Sequence, residues 1–153
     1  MISGQHPFDR LRFDVLWETS AYFHIFDSER RLSVRAEESG PEPWQRRAFD
    51  SFIANERALK PRVSEALLEY YKSIVDEHRA MFSPDSLHLA PLISTVEDLR
   101  VVLTPQAVYI DDLEDERPGI GLLFDCAWDD SHGVGVRVLG DSVLEVGPQD
   151  ICL

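Results

Sequence analysis

From Leu11 the chain alternates. Phe13, Val15 and Trp17 are interleaved with Asp14, Leu16 and Glu18, and an aromatic run through Tyr22, Phe23, Ile25 and Phe26 follows. A period of two rich in aromatic and β-branched residues predicts strands. Asp27-Ser28-Glu29-Arg30 supplies turn residues, after which Leu32, Val34 and Ala36 alternate with Ser33, Arg35 and Glu37. The whole reads as a hairpin with one buried and one wet face. His24, between Phe23 and Ile25, falls on the alternate face and is expected to be solvated or cross-strand.

The period then changes. Ser39-Gly40-Pro41-Glu42-Pro43 breaks the strand pattern, and Trp44, Ala48, Phe49, Phe52 and Ile53 recur three and four residues apart, the spacing of one helical face. Asn55 is expected to stop this first helix, and Pro61 to sit in the first turn of a second, where its missing N–H costs nothing. The second helix carries its stripe on Val63, Leu67, Tyr70, Tyr71, Ile74 and His78, with Glu65 and Glu69 on a solvated face and His78 close enough to the end to meet terminal carbonyls. A short third helix has Ser94 or Thr95 as cap and Val96, Leu99, Val102 and Leu103 as its apolar side, and Thr104-Pro105 is expected to end it.

Residues 107–110 read as a strand. Beyond an acidic run, Leu122, Phe124 and Cys126 form one alternating set and Val134, Val136 and Val138 another, separated by the polar stretch 128–133. Gly140-Asp141 is a two-residue hairpin signal, with glycine supplying positive φ at the first position, and a last strand begins at Val143 and Leu144. The predicted architecture is α+β: an antiparallel sheet built from an N-terminal hairpin and a C-terminal meander, with two to three helices inserted between them. A chain of 153 residues fits a single domain, 1–153.

Charge narrows the function classes. The formal net charge is −13. Residues 101–153 hold 11 Asp/Glu against only Arg117 and Arg137, so most of the excess lies there. Such a field opposes nucleic acid, whose phosphates must be neutralised by Lys and Arg, and opposes anionic membranes. It suits a basic protein partner, whose approach it would steer. No run reaches the ~18 apolar residues of a membrane span, and the N-terminal residues lack the basic and apolar regions of a secretory signal. Cys126 and Cys152 are therefore expected to be reduced thiols in a cytoplasmic protein, and no cofactor is expected.

Candidate chemistry concentrates in Trp128-Asp129-Asp130-Ser131-His132-Gly133. Asp129, Asp130 and His132 offer hard oxygens and an imidazole to a metal, with His88, His24 or Glu145 as a distant further ligand; that would make a metal-dependent hydrolase. Each residue also has a structural role open to it. The aspartates can accept backbone N–H groups, Gly133 can take positive φ, Gly135 can admit a close neighbour, and Trp128 can anchor the connection on the core. Ser131 and His132 are adjacent, so no Ser-His-acid arrangement is legible. A second candidate surface is the acidic face Asp111, Asp112, Glu114, Asp115 and Glu116, which lacks the glycine and alternate oxygen ligands of an EF-hand loop.

The run WDDSHGVGVRV followed by VLEVGPQDI resembles the C-terminal signature of an uncharacterised bacterial family, with Trp-Asp-x-x-His-Gly-x-Gly-Val near the end and Ser131 in place of a usual Glu. Leu103-Thr104-Pro105 with Val108-Tyr109-Ile110, and Leu67-Leu68 with Tyr70-Tyr71, are similar to the family's preceding segments. The resemblance implies a domain of unknown function and, by likeness to small acidic immunity proteins, a non-catalytic protein-interaction module.

Overall fold

The computed structural model describes residues 5–112 and 119–153, and of Asp130 only the backbone. One seven-stranded sheet runs in strand order β1 Arg12–Phe13, β2 Trp17–Phe23, β3 Ser28–Val34, β4 Leu103–Ile110, β5 Ile120–Cys126, β6 Asp129–Leu139 and β7 Ser142–Pro148. Neighbours are antiparallel except β3 and β4, which run parallel from Arg31↔Ala107 to Val34↔Ile110. The long insert between them makes the parallel pairing possible, because a parallel pair needs a crossover. The α+β class holds, with the insert entering after β3.

The insert holds three helical elements: α1 Pro43–Met81 and the 3-10 turns Pro84–Leu89 and Val96–Val101. The expected break between Asn55 and Pro61 does not exist; α1 is continuous over 39 residues, with Pro61 exposed in its interior. Its buried line is Gln45, Phe49, Phe52, Glu56, Leu59, Val63, Leu67, Tyr71 and Val75, an unbroken three-and-four spacing. Two polar members hid that line from a hydrophobicity pattern. Gln45 is fully buried: its side-chain amide donates to the Arg35 and Asp111 carbonyls at 2.7 and 2.8 Å, while its oxygen accepts the Glu42 N–H at 2.8 Å. The start of α1 is thereby pinned to the ends of both parallel strands. Glu56 accepts the Ile25 N–H at 3.0 Å and holds the β2–β3 turn. Two polar side chains thus tie α1 to backbone groups of the sheet.

Thr104-Pro105 does not end a helix but lies in β4. Proline there coincides with a register shift between Pro105 and Ala107, the kind of irregularity where a strand tolerates a missing donor. The inner face of the sheet, with Leu32, Val34, Val108, Ile110, Leu122, Phe124, Val134, Val136 and Val138, meets α1 in the main core. The outer face carries a smaller cluster, Ala107, Tyr109, Leu123 and Cys152, with Leu16 and Ile151 against it. Its cover is the C-terminal 3-10 turn Gln149–Cys152. That turn fits because the outward positions beneath it are glycines: a Cβ at Gly121 or Gly135 would stand 2.9 or 2.8 Å from Cys152 side-chain atoms, and one at Gly147 would stand 3.2 Å from Ile151.

Candidate functional site

The polar stretch expected to connect two strands is itself mostly strand. Ala127 and Trp128 make the turn, Cys126 pairs with Asp129, and β6 starts there. The next registered pair is Phe124↔Val134, so residues 130–133 of β6 face only Asp125 across the ladder. This wide bulge is stapled from two sides. Asp129 Oδ1 accepts the backbone N–H groups of Ser131 and His132, both at 3.1 Å, and Oδ2 lies 3.2 Å from His132 Nδ1. The Cys126 thiol donates to the carbonyls of Asp129 and His132 at 3.3 and 3.2 Å. Asp129 thus spends its acceptor capacity within its own turn, in the manner of an Asx turn.

Gly133 does not take the positive φ expected of it; Gly40 and Gly140 do, at 119° and 59°. Gly140 opens the β6–β7 hairpin, where Leu139 pairs with Ser142 as its Gly-Asp sequence predicts. Gly133 answers a close approach instead: a Cβ on it would fall 2.3 Å from the Phe124 carbonyl oxygen and 2.5 Å from Gln149 Oε1. The His-Gly-x-Gly spacing therefore places both glycines on the outward face of β6, one under the bulge and one under the C-terminal turn.

Trp128 is buried, its ring centroid 5.1 Å from Tyr71 and 6.3 Å from His78. The indole anchors the turn to the second half of α1. Around it opens a cleft of about 440 Å³, with Tyr70, His78 and Trp128 on one side, the bulge residues Asp129, Ser131 and His132 on another, and Pro148, Gln149 and Asp150 closing it. His78 meets Trp128 rather than only the helix-end carbonyls its position suggests, as its place on the stripe of Tyr70 and Tyr71 requires. Asp150 carried no local signal at all, since its place in the cleft depends on where the last turn folds back.

The two thiols are quiet. Burial pushes the Cys126 thiol up to about 11 and that of Cys152 up to about 12. A nucleophile at neutral pH requires the opposite shift. The residues weighed as distant ligands do not join Asp129 and His132: His24 is exposed in the β2–β3 turn, His88 Nδ1 lies 3.1 Å from the Asp85 carbonyl, and Glu145 stands 3.6 Å from Arg137. Among the described residues no three His, Cys, Asp or Glu side chains converge as a metal-binding group. The side chain of Asp130 lies outside the described residues.

Of the acidic face, Glu114, Asp115 and Glu116 lie outside the described residues. Asp112 is exposed. Asp111 is half-buried, and burial, followed by its hydrogen bond with Asp112, raises its carboxyl above the usual range. Exposed carboxylates continue over the C-terminal strands at Asp125, Asp141, Glu145 and Asp150. No described helix is long and apolar enough to cross a membrane.

Fold and site together define an acidic α+β protein whose last strands carry a stapled bulge beside an aromatic-walled cleft. The chain belongs to the family described as a domain of unknown function (DUF6985), whose model matches residues 7–153. No curated protein and no solved structure matches it.

Proposed function

We propose that this chain is a non-catalytic module that binds a basic protein through the acidic surface of its C-terminal half, in the manner of a bacterial immunity protein holding its toxin. The observation that carries this is the charge distribution: 11 Asp/Glu against two Arg in residues 101–153, with Asp112, Asp125, Asp141, Glu145 and Asp150 exposed on one continuous stretch of chain. Surface carboxylates so placed raise the encounter rate with a cationic partner and disfavour anionic ones. The signature Trp-Asp-x-x-His-Gly-x-Gly-Val fits this reading as a folding element, since Trp128, Asp129, Gly133 and Gly135 are each accounted for by a packing or backbone contact. Asp111, Asp112, Glu114, Asp115 and Glu116 add five carboxylates to the same half of the sequence, and a cytoplasmic setting and a single folding unit complete the reading.

Affinity capture from the native host at low and high salt, with the wild type beside an Asp112→Lys/Asp125→Lys variant, tests it. A basic protein retained at low salt, released at high salt and lost with the variant is expected. A partner held equally well by both proteins and at both salt levels would overturn the reading. The competing idea of a hydrolase built on Asp129, Asp130 and His132 is checked on the same preparation by metal analysis after incubation with zinc or manganese, where stoichiometric retention would favour it.

A further inference from the structure

The cleft beside Trp128 has a chemistry of its own. Four aromatic rings, those of Tyr70, His78, Trp128 and His132, line it together with Asp129 and Asp150. No Lys or Arg is among the described residues around it. Its volume of about 440 Å³ is at the small end of ligand-sized pockets. An anion would meet two carboxylates and no fixed positive charge. A neutral apolar group would desolvate Asp150, which is exposed and whose side chain has no hydrogen-bond partner among the described residues. A cation meets both needs, because aromatic rings attract it electrostatically and a carboxylate at the mouth can pair with it.

We infer that the cleft is a guanidinium pocket, filled by an arginine side chain that the basic partner presents. Arginine suits it better than lysine. The planar guanidinium stacks on aromatic faces and can hold a carboxylate through two parallel hydrogen bonds, whereas an ammonium is a strongly hydrated point charge. Asp129 is committed to its turn, so Asp150 is the carboxylate positioned to receive the cation, and Trp128 is the ring held rigid by Tyr71 behind it. The inference rests on the reading of the chain as a binder of basic proteins, and it adds where a hot-spot side chain would enter. Arginine is one of the three residue types enriched at such hot spots, which sit in well-packed pockets.

The test is an NMR titration of the full chain with Nα-acetyl-arginine methylamide, following the Trp128 indole N–H, assigned through a Trp128→Phe spectrum. Nα-acetyl-citrulline methylamide, which has the same shape without the charge, is the control. The expected result is a saturable shift of the Trp128 signal, with the arginine compound binding at least about fivefold more tightly than citrulline. Asp150→Asn, with its fold verified by the unchanged remainder of the spectrum, should remove that preference. Equal binding of both compounds, no saturable shift, or an undiminished preference in Asp150→Asn would each overturn the inference. Free arginine is the third arm. Its α-carboxylate should weaken it relative to the blocked compound, and tighter binding of the free amino acid would overturn the assignment to a protein-borne side chain. The titration reads the cleft alone, whereas salt-sensitive capture reads the acidic surface, so either can fail without the other.

Discussion

Gly135 and Cys152 are separated by less than a methyl group: a Cβ built on the glycine would stand 2.8 Å from the cysteine sulfur. The C-terminal turn is seated on β6 only because nothing projects from that position. Gly133→Ala and Gly135→Ala should both destabilise the fold, by about 1–3 kcal/mol for an overpacked site of this kind. The two should differ in what relieves them. Cys152→Ala should recover part of the Gly135→Ala loss, although the Gln149 backbone at 3.1 Å remains in the way. It should recover nothing for Gly133→Ala, where the obstacle is the Phe124 carbonyl. Urea unfolding midpoints of the two single and two double variants would show the pattern. Equal rescue by Cys152→Ala at both positions would remove this account of the glycines.

Asp129 and His132 form a pair in which one member carries the structure. Asp129 accepts two backbone N–H groups, whereas the His132 side chain is 75% exposed and adds one contact to the same carboxylate. Asp129→Ala is therefore expected to cost about 1–3 kcal/mol, since it removes two hydrogen bonds that each contribute about 0.5–1.5 kcal/mol. His132→Ala should fall within about 0.5 kcal/mol of wild type, as exposed substitutions do. Asp129→Asn, which keeps an acceptor oxygen, should lie between them. Denaturation curves of the three variants give the order directly, and a His132→Ala loss as large as that of Asp129→Ala would contradict it.

Glu56 predicts a pH dependence whose sign is fixed by its burial. Desolvation raises its carboxyl above the usual 4.5, outweighing the Ile25 N–H bond and the nearby His24 and Lys60, which act the other way. The folded chain therefore holds this proton more tightly than the unfolded chain does. As pH rises from 4.5 through the folded value, unfolding releases the proton, and the contribution of Glu56 to stability falls. Glu56→Gln retains an acceptor for the Ile25 N–H without a charge to bury. Its stability relative to wild type should improve between acid and neutral pH, measured by denaturant midpoints across that range. A relative stability that declines over the same range would mean that the ionised form is the favoured one.

The strands were legible in the sequence from their apolar periodicity, although β4 and β5 are buried on both faces over most of their length, and the Gly140-Asp141 turn because its backbone demands glycine. The length of α1 was not. Asn55 and Pro61 look like a stop and a start, yet the proline is on the solvent side, and the buried line passes through Gln45 and Glu56, whose polarity reads as exposure. The candidate site was half legible. Trp128, Asp129 and His132 are neighbours in sequence and remain neighbours in space. His78 and Asp150 reach the cleft from 50 residues before Trp128 and 22 residues after it in the numbering, through tertiary contacts that no local pattern encodes. The stretch drew attention as chemistry because it gathers Asp, His and Gly. The folded chain uses most of those residues to hold a bulge.

The thiols give a prediction that separates a structural bulge from a reactive one. With Cys126 pushed up to about 11 and Cys152 up to about 12, both remain protonated at pH 8, where an ordinary cysteine is already partly thiolate. Cys126 is further engaged with two backbone carbonyls, and Cys152 is enclosed between glycine positions and the outer cluster. A disulfide reagent such as DTNB should therefore titrate no thiol quickly in the native protein and both after addition of denaturant. Gly135→Ala, by lifting the C-terminal turn, should speed the reaction of Cys152 and leave Cys126 slow. Native reactivity of Cys126 at the rate of a free thiol would show that the bulge opens readily, and the view of Asp129 and Cys126 as its two staples would then fall.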